Sequence, residues 1–269
     1  GKDWNKYILK YRSIDKEHAE TLSTIAASLH DYFPRIFQQI DSAIYTVDMG
    51  DGFYGLEEFV DGSIKERNLD YFSLLGGHIA SLHKQLYAFL QNNRSLENIL
   101  LRGGYANESS LASIYLDLAS NTENVFLLSE LEKIISSGFS KEIDSLHKYL
   151  IHNDLNHSNL IRVGDTIKII DPESIGISVR INEFAAPLFL GGNRSRPTYI
   201  DGSLSLLFSS YNESSENPLS DKEGKILIDL LKYALLRYYV VRSIRRGMDE
   251  IGYLDETETA LKKLGGFKR

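Results

Sequence analysis

The chain has 269 residues, 42% of them hydrophobic and 25% charged, which is the composition of an ordinary globular protein. It contains no cysteine, which excludes disulfides and thiolate metal sites and is compatible with a reducing cytoplasm, the compartment we predict. No apolar run reaches the roughly 18 residues that span a bilayer, so no membrane partner is predicted. The formal net charge of −7 argues against a nucleic-acid partner, while it is compatible with a small cationic ligand.

The first sixty residues are predicted to be rich in short strands. These strands lie at residues 7–11, 43–48 and 53–60, and residues 1–5 read as a hairpin turn. Asp51-Gly52, between the second and third strands, is typical of a hairpin. A helix is predicted over residues 16–30, because its apolar side chains recur at spacings of three and four, with Ser13 or Asp15 as its N-cap.

From Gly62 onward helical periodicity dominates the chain. Helical periodicity covers residues 69–90 and 111–139, and a long helix is predicted over residues 222–246, with Gly247 as its C-terminal cap. Short apolar runs at residues 150–151, 160–162 and 166–170 are strand-like. We therefore predict an α+β protein in two parts, a small strand-rich domain at residues 1–61 and a large helical domain at residues 62–269.

A polar segment between these strand-like runs carries the reactive groups. Asp154 precedes Asn159 by five residues, and Asp171 follows Asn159 by twelve, immediately after a predicted strand. Carboxylate and carboxamide oxygens are hard ligands that suit Mg²⁺, and a carboxylate accepts the proton of an attacking hydroxyl. Taken alone, the Asp154 segment is typical of an ordinary polar turn. The second carboxylate at this distance favours a phosphotransfer site instead.

Residues 152–160, with the sequence His-Asn-Asp-Leu-Asn-His-Ser-Asn-Leu, resemble the H-G-D-x-x-x-x-N catalytic loop of aminoglycoside phosphotransferases and their relatives, which include choline kinases. Ile-Asp-Pro-Glu at residues 170–173 resembles this superfamily's counterpart of the protein-kinase D-F-G, in the form found in streptomycin- and hydroxyurea-type phosphotransferases. Weaker matches follow the family's order at residues 7–11, 56–62 and 75–83. The resemblance implies a protein-kinase-like fold of two lobes, with ATP and Mg²⁺ in the cleft between them.

The resemblance also implies roles for individual residues of the larger lobe. Asp154 would be the catalytic aspartate, which orients and deprotonates the substrate hydroxyl. Asn159 and Asp171 would hold Mg²⁺. His152 is expected to brace the loop rather than to transfer protons, and His83 to be a packed helix residue.

In the smaller lobe the resemblance implies a nucleotide site. Lys10 is expected to reach the α- and β-phosphates and to pair with a glutamate of the next helix, Glu20 in first place and Glu17 in second. The alternative for Lys10 is a lysine exposed to solvent on an edge strand. The main chain expected to hydrogen-bond the adenine is that of Glu58, Phe59 and Val60.

The sequence departs from the family pattern in several places. Asn153 replaces the usual glycine, and asparagine tolerates the unusual backbone angles that this position needs. Residues 175–185 differ from the usual continuation of the Ile-Asp-Pro branch, although Glu183 is expected to fill the acidic position that anchors the loop. No glycine-rich nucleotide-covering loop precedes Lys10. We expect the natural chain to begin further upstream; the alternative is a reduced kinase that binds nucleotide poorly.

Together these features predict an ATP-dependent phosphotransferase that acts on a hydroxyl of a small molecule. An aminoglycoside-like antibiotic is the leading substrate class, which would make the protein a resistance enzyme. Choline, a sugar or an amino-alcohol is the alternative within the same chemistry. A catalytically silent, nucleotide-binding pseudokinase is the alternative from a different functional class, and it is suggested by the absence of a glycine-rich loop.

Overall fold

The structure is a computed structural model that describes residues 6–12, 14–39, 45–48, 50, 52–62, 68–101, 108–120, 124–189, 199–246 and 252–266. The predicted turn at residues 1–5, the candidate cap Ser13, the turn residue Asp51 and the cap Gly247 lie outside these ranges. Within them, no helix combines the length and the apolarity that crossing a bilayer requires.

The described part of the smaller lobe contains an antiparallel sheet and one helix. In chain order its elements are β1 (Tyr7–Arg12), α1 (Lys16–Ser28), β2 (Thr46–Asp48) and β3 (Phe53–Glu58). β3 lies between the other two strands, and Lys10 of β1 pairs with Gly55 of β3. Asp15 caps α1 by accepting a hydrogen bond from the His18 N–H. The predicted strands and helix are confirmed over the residues that the structure describes.

The larger lobe is built mainly from helices. These are α2 (Leu69–Asn92), α3 (Glu97–Leu100), α4 (Glu108–Ala119), α5 (Val125–Ser136), α6 (Phe139–Asp144), α7 (Ala185–Phe189), α8 (Ser203–Ser214), α9 (Asp221–Tyr239) and α10 (Tyr253–Gly265). The predicted helix 222–246 is confirmed as α9 with a π-helical continuation over Val240–Arg245. A two-lobed α+β fold with a small antiparallel sheet and a large helical lobe is therefore present.

The helical periodicity predicted over residues 111–139 is confirmed, but it is divided between two helices. α4 ends at Ala119 and α5 begins only at Val125. Ser120, directly after α4, has a short polar side chain that competes with helical hydrogen bonds, and its hydroxyl donates to the Asp117 carbonyl at 2.6 Å. Asn124, directly before α5, is buried and accepts a hydrogen bond from the Tyr239 hydroxyl at 2.9 Å. A tertiary contact thus fixes the start of α5.

Two short antiparallel ladders in the larger lobe position the reactive segments. β4 (Tyr149–Ile151) pairs with β7 (Gly176–Ser178), and β5 (Leu160–Val163) pairs with β6 (Thr166–Ile169). β4 leads into residues 152–159, and β6 leads into residues 170–175. Because Ile151 lies opposite Gly176 and Leu160 lies opposite Ile169, the two reactive segments are held side by side.

The chain passes between the lobes in close contact with β5. A Cβ atom on Gly62 would lie 2.5 Å from the carbonyl oxygen of Arg162, so only glycine fits this approach without a shift. The close approach to β5 therefore explains why a glycine, Gly62, stands at the end of the predicted connecting strand. The division into domains at residues 61 and 62 stays a prediction.

Candidate active site

The loop that follows β4 has a backbone conformation that selects the residue at position 153. Asn153 has a φ of 66°, in the left-handed region that favours glycine and that asparagine tolerates best among other residues. Its side-chain amide donates to the carbonyl oxygens of Ser174 at 3.1 Å and Gly176 at 3.3 Å. The substitution of asparagine for glycine thus preserves the bend and ties the loop to the start of β7 and to the turn before it.

Asp154 and Asn159 are in direct contact. The Asn159 amide donates to the carboxylate Oδ2 of Asp154 at 3.1 Å and to its main-chain carbonyl at 2.9 Å. Asn156 donates to the other carboxylate oxygen at 2.9 Å. Both hydrogens of the Asn159 amide are directed at Asp154, so its Oδ1 is the atom that can bind a cation.

Asp171 joins this pair through the β5–β6 ladder. The Ile170 N–H donates to the Asn159 carbonyl at 2.8 Å, which extends the ladder by one step. Asp171 directly follows Ile170 and therefore lies near Asn159 across the ladder. Asp171 has a φ of 66°, an uncommon backbone angle for a residue other than glycine. Residues held in such conformations concentrate at functional sites.

Lys10, on β1 of the smaller lobe, contacts Asp171 of the larger lobe. Its Nζ lies 2.8 Å from Oδ1 of Asp171, across 161 residues of sequence. The lysine and the carboxylate side chains are 22% and 41% exposed, so the ion pair lies at an open cleft rather than in the core. The alternative prediction was a lysine exposed to solvent on an edge strand. β1 is an edge strand of the described sheet, but Lys10 forms an ion pair instead of facing solvent alone, and its role toward a nucleotide stays a prediction.

The predicted pairing of Lys10 with a glutamate of α1 is wrong. The Glu20 carboxylate accepts hydrogen bonds from the Tyr45 N–H at 3.2 Å and from the hydroxyl of Thr46, the first residue of β2. Glu17 is exposed to solvent in the first turn of the helix. The cation of Lys10 is held by Asp171, and Glu20 instead stabilises the start of β2.

The connection between the lobes offers fewer free main-chain groups than the sequence suggests. The Glu58 N–H donates to the carbonyl of Arg35 at 2.8 Å, and the Phe59 N–H donates to the carbonyl of Lys6 at 2.9 Å. Neither N–H can therefore bind adenine without losing a protein hydrogen bond. The adenine contact at Glu58, Phe59 and Val60 stays a prediction, and its donor would have to be Val60.

Glu183, a buried acidic residue, anchors the loop that follows β4. Glu183 is 1% exposed, and its Oε2 accepts the His152 N–H at 2.7 Å and lies 3.4 Å from Nε2 of His83. Burial lowers the pKa of His152, although the Glu183 charge acts in the opposite direction. A neutral ring suits the contact of 3.3 Å in which Nδ1 of His152 accepts the Asp154 N–H. His152 therefore braces the loop, and His83 packs against Tyr211 and Glu183.

Sequence reasoning missed a second charged cluster in the cleft. Arg12 is fully buried and donates from Nη2 to the Glu57 carboxylate, and its Nε lies 3.9 Å from Oε1 of Glu173. Burial, and then the charge of Asp171, raise the pKa of the Glu173 carboxyl. The signal was present in the alternation of β1, since residues 10 and 12 share one face of the strand.

The residues present fit a magnesium ion held together with phosphate oxygens. Among the residues that the structure describes, no three histidine, aspartate or glutamate side chains gather as a metal site of their own. Asp171 and Oδ1 of Asn159 supply hard oxygen ligands from adjacent positions, and Mg²⁺ in phosphoryl-transfer sites is commonly bound by one or two protein groups plus substrate phosphates. The donor set therefore suits a metal that arrives with a nucleotide.

Comparison with known proteins shows the fold. No family model matches the sequence, and no curated protein matches it. Among solved structures, an aminoglycoside phosphotransferase from Alicyclobacillus acidocaldarius has a TM-score of 0.65 at 14% identity, over 98% of this chain and 85% of that one. An amicoumacin kinase in complex with AMP-PNP, Ca²⁺ and its ligand has a TM-score of 0.62 at 16% identity, over 98% and 81%. A choline/ethanolamine kinase family protein from Mesorhizobium loti has a TM-score of 0.61 at 15% identity, over 97% and 83%.

These similarities confirm, at the level of the fold, the resemblance to aminoglycoside phosphotransferases and choline kinases that the motifs indicate. The matched structures span nearly the whole of this chain, and both lobes are therefore included. The narrower assignment to the Ile-Asp-Pro branch stays a prediction.

Proposed function

We propose that the chain is an ATP-dependent small-molecule phosphotransferase, which moves the γ-phosphate of ATP to a hydroxyl group. The observation that carries the proposal is the convergence of four side chains from distant parts of the sequence. Asp154 and Asn159 are in contact, Asp171 follows them through the β5–β6 ladder, and Lys10 reaches Asp171 from the other lobe. The fold that these residues occupy is that of solved phosphotransferases and kinases.

Each group has a distinct task in the proposed reaction. Asp154 would orient the substrate hydroxyl and take its proton, while the hydroxyl oxygen forms a bond to the γ-phosphorus and the bond to the bridging oxygen of ADP breaks. Asn156 and Asn159 hold the two oxygens of this carboxylate by hydrogen bonds, which fixes its direction. Asp171 and Asn159 would hold Mg²⁺, which neutralises phosphate charge when bound. Lys10 would turn from Asp171 to the α- and β-phosphates.

For the molecule that accepts the phosphate we propose a chemical class rather than a single compound. The names of the similar structures include kinases of antibiotics, such as amicoumacin and spectinomycin, and of ethanolamine or choline. An antibiotic with an aminoglycoside-like, cationic character is our first candidate, and an amino-alcohol is the second. The net charge of −7 suits either. A pseudokinase is less favoured, because Asp154, Asn159, Asp171 and Lys10, the residues that carry the proposed roles, converge at one cleft.

The test is phosphotransfer by the purified protein with Mg-ATP, measured as ADP release against a panel of aminoglycosides, other hydroxyl-bearing antibiotics and amino-alcohols. Asp154→Ala should lower kcat on the accepted substrate by roughly 10²–10⁴-fold, because a positioned base contributes about that much. Asp165→Ala is the matched control, since Asp165 is an exposed aspartate in the turn of the neighbouring β5–β6 hairpin. A protein that transfers phosphate to no member of the panel, or an Asp154→Ala variant as active as Asp165→Ala, would contradict the proposal.

A further inference from the structure

The ion pair of Lys10 and Asp171 joins two groups that the proposed reaction uses apart from each other. Nζ of the lysine lies 2.8 Å from Oδ1 of the aspartate. In the proposed reaction the lysine binds phosphate oxygens and the carboxylate binds Mg²⁺. In the structure each group instead neutralises the charge of the other. The cleft without nucleotide therefore holds both groups in a paired state that has to be broken before either can act.

The carboxylate is the fixed member of this pair. Asp171 directly follows the β5–β6 ladder, which is extended by the hydrogen bond from the Ile170 N–H to the Asn159 carbonyl at 2.8 Å. The ladder and the φ of 66° together fix the backbone from which its side chain starts. The backbone of Lys10 is also held, since it pairs with Gly55, but its four-carbon side chain is flexible and 22% exposed. The lysine is therefore the partner that can leave.

A divalent cation at Asp171 competes with the ammonium group of Lys10. Mg²⁺ binds carboxylate oxygens at about 2.1 Å, and Nζ of Lys10 already contacts Oδ1. A metal on the other oxygen, Oδ2, would lie within roughly 5 Å of the ammonium, where two cations repel one another unless anions lie between them. The phosphates of a nucleotide are such anions, and they also attract the lysine. Nucleotide binding thus removes the obstacle to metal binding.

We propose that the Lys10–Asp171 pair is an autoinhibitory contact that makes metal binding depend on nucleotide binding. Without nucleotide, Lys10 occupies Asp171 and keeps divalent cations out of the cleft. When a nucleotide binds, its phosphates take the lysine, and the released carboxylate binds the metal together with Asn159. Without metal, the same exchange weakens nucleotide binding, because it leaves Asp171 as an unpaired anion beside the phosphates. The inference rests on the proposed function, because it assigns a regulation to that site.

The first test is the dissociation constant of Mn²⁺ without nucleotide, measured from the electron paramagnetic resonance signal of the free ion. Mn²⁺ accepts the same oxygen ligands as Mg²⁺. Lys10→Gln should bind Mn²⁺ roughly tenfold more tightly than the wild type, since a cation next to the metal is removed. Lys10→Gln combined with Asp171→Asn should lose this gain, because the ligand is gone. Lys6→Gln is the matched control: Lys6 directly precedes β1, its Nζ lies 5.2 Å from the centre of the Phe59 ring, and its loss should leave Mn²⁺ binding unchanged.

The second test separates release of the lysine from the general effect of charge. The dissociation constant of ADP is measured by calorimetry in EDTA for the wild type, Lys10→Gln, Asp171→Asn and the double variant. Asp171→Asn should tighten metal-free ADP binding roughly tenfold, because it removes an anion and also frees the lysine. In the Lys10→Gln background the same substitution removes only the anion, so the gain should be about threefold or less. The ratio of the two gains measures the contribution of the pair.

Equal gains in the two backgrounds, or Mn²⁺ binding as tight to the wild type as to Lys10→Gln, would overturn the inference alone. A wild type that binds ADP neither with nor without Mg²⁺ would overturn the proposed function as well. Lys10→Met retains an unbranched side chain without the charge, and it repeats both measurements, so that the result does not depend on the folding of a single variant.

Discussion

At the scale of single residues, the backbone angle of Asn153 links the loop sequence to its shape. Position 153 has two separate requirements: a backbone φ of 66°, and a side chain that donates hydrogen bonds to the carbonyls of Ser174 and Gly176. Glycine meets only the first, and alanine meets neither. This residue therefore offers a direct measure of how much stability the loop geometry contributes.

We expect Asn153→Ala to lower the free energy of unfolding by about 2 kcal/mol, from left-handed strain and lost hydrogen bonds. Asn153→Gly should lose less, because it retains the backbone freedom and gives up only the side-chain contacts. Urea unfolding of the three proteins at pH 7 measures the difference. Equal stability of the alanine and glycine variants would show that the angle is not strained.

The roles that sequence could assign at this scale were those fixed by local spacing. Asp154, Asn159 and Asp171 are adjacent because two short ladders join them, and their spacing in the chain reflects those ladders. Glu20 was assigned wrongly, since nothing local in α1 tells whether its carboxylate faces Lys10 or β2. The alternation of β1 placed Arg12 on the same face as Lys10, but its partners Glu57 and Glu173 are 45 and 161 residues away and could not be inferred from that spacing.

At the scale of elements, the packing of α2 against α8 depends on Gly76, the first glycine of the Leu-Gly-Gly-His motif. A Cβ atom on Gly76 would lie 2.5 Å from the carbonyl oxygen of Leu207 and 3.0 Å from Cβ of Ser210. The backbone of α8 cannot move away without disturbing the buried side chains around it. The sequence showed a helix and a family motif here, whereas the partner helix becomes visible only in the fold.

Gly76→Ala should therefore destabilise the protein by about 1–3 kcal/mol, the usual cost of overpacking. Gly77→Ala is the matched control, because its nearest neighbour is the Ser214 hydroxyl at 3.1 Å, at the end of a side chain that can rotate. In addition, alanine favours a helix over glycine by about 1 kcal/mol, so Gly77→Ala should be near neutral. Thermal unfolding of both variants tests this, and similar melting temperatures for the two would contradict the steric account.

At the scale of the whole molecule, the two lobes are joined behind the cleft as well as across it. The segment after α1 reaches the larger lobe, where the Ile169 N–H donates to the Tyr32 carbonyl at 2.7 Å and the Lys168 ammonium donates to the His30 carbonyl at 2.6 Å. The ring of His78 on α2 lies 5.1 Å from the ring of Tyr32. The sequence predicted two lobes and the connection between them, but it held no local sign of this second contact.

His78 makes this contact dependent on pH. Burial lowers its pKa to about 4, a hydrogen bond with the main chain of Ile167 opposes the shift, and the charge of Lys168 adds to it. The folded protein thus prefers the neutral ring. Its contribution to stability is complete above the unfolded pKa of about 6.5 and is lost as the pH falls from there through the folded value.

Between pH 7 and pH 4, His78 should therefore cost the wild type about 3 kcal/mol of unfolding free energy, since each pKa unit corresponds to about 1.4 kcal/mol. His78→Gln retains a donor for Ile167 but cannot be protonated, so the stability gap between wild type and variant should shift by that amount in favour of the variant over this range. His30→Gln is the control for the substitution itself, because the His30 side chain is 71% exposed. Urea unfolding at pH 7, 5.5 and 4 gives the three profiles. If the free energies of unfolding of the wild type and His78→Gln change in parallel with pH, protonation of His78 does not weaken the contact between the lobes. That result would contradict the prediction.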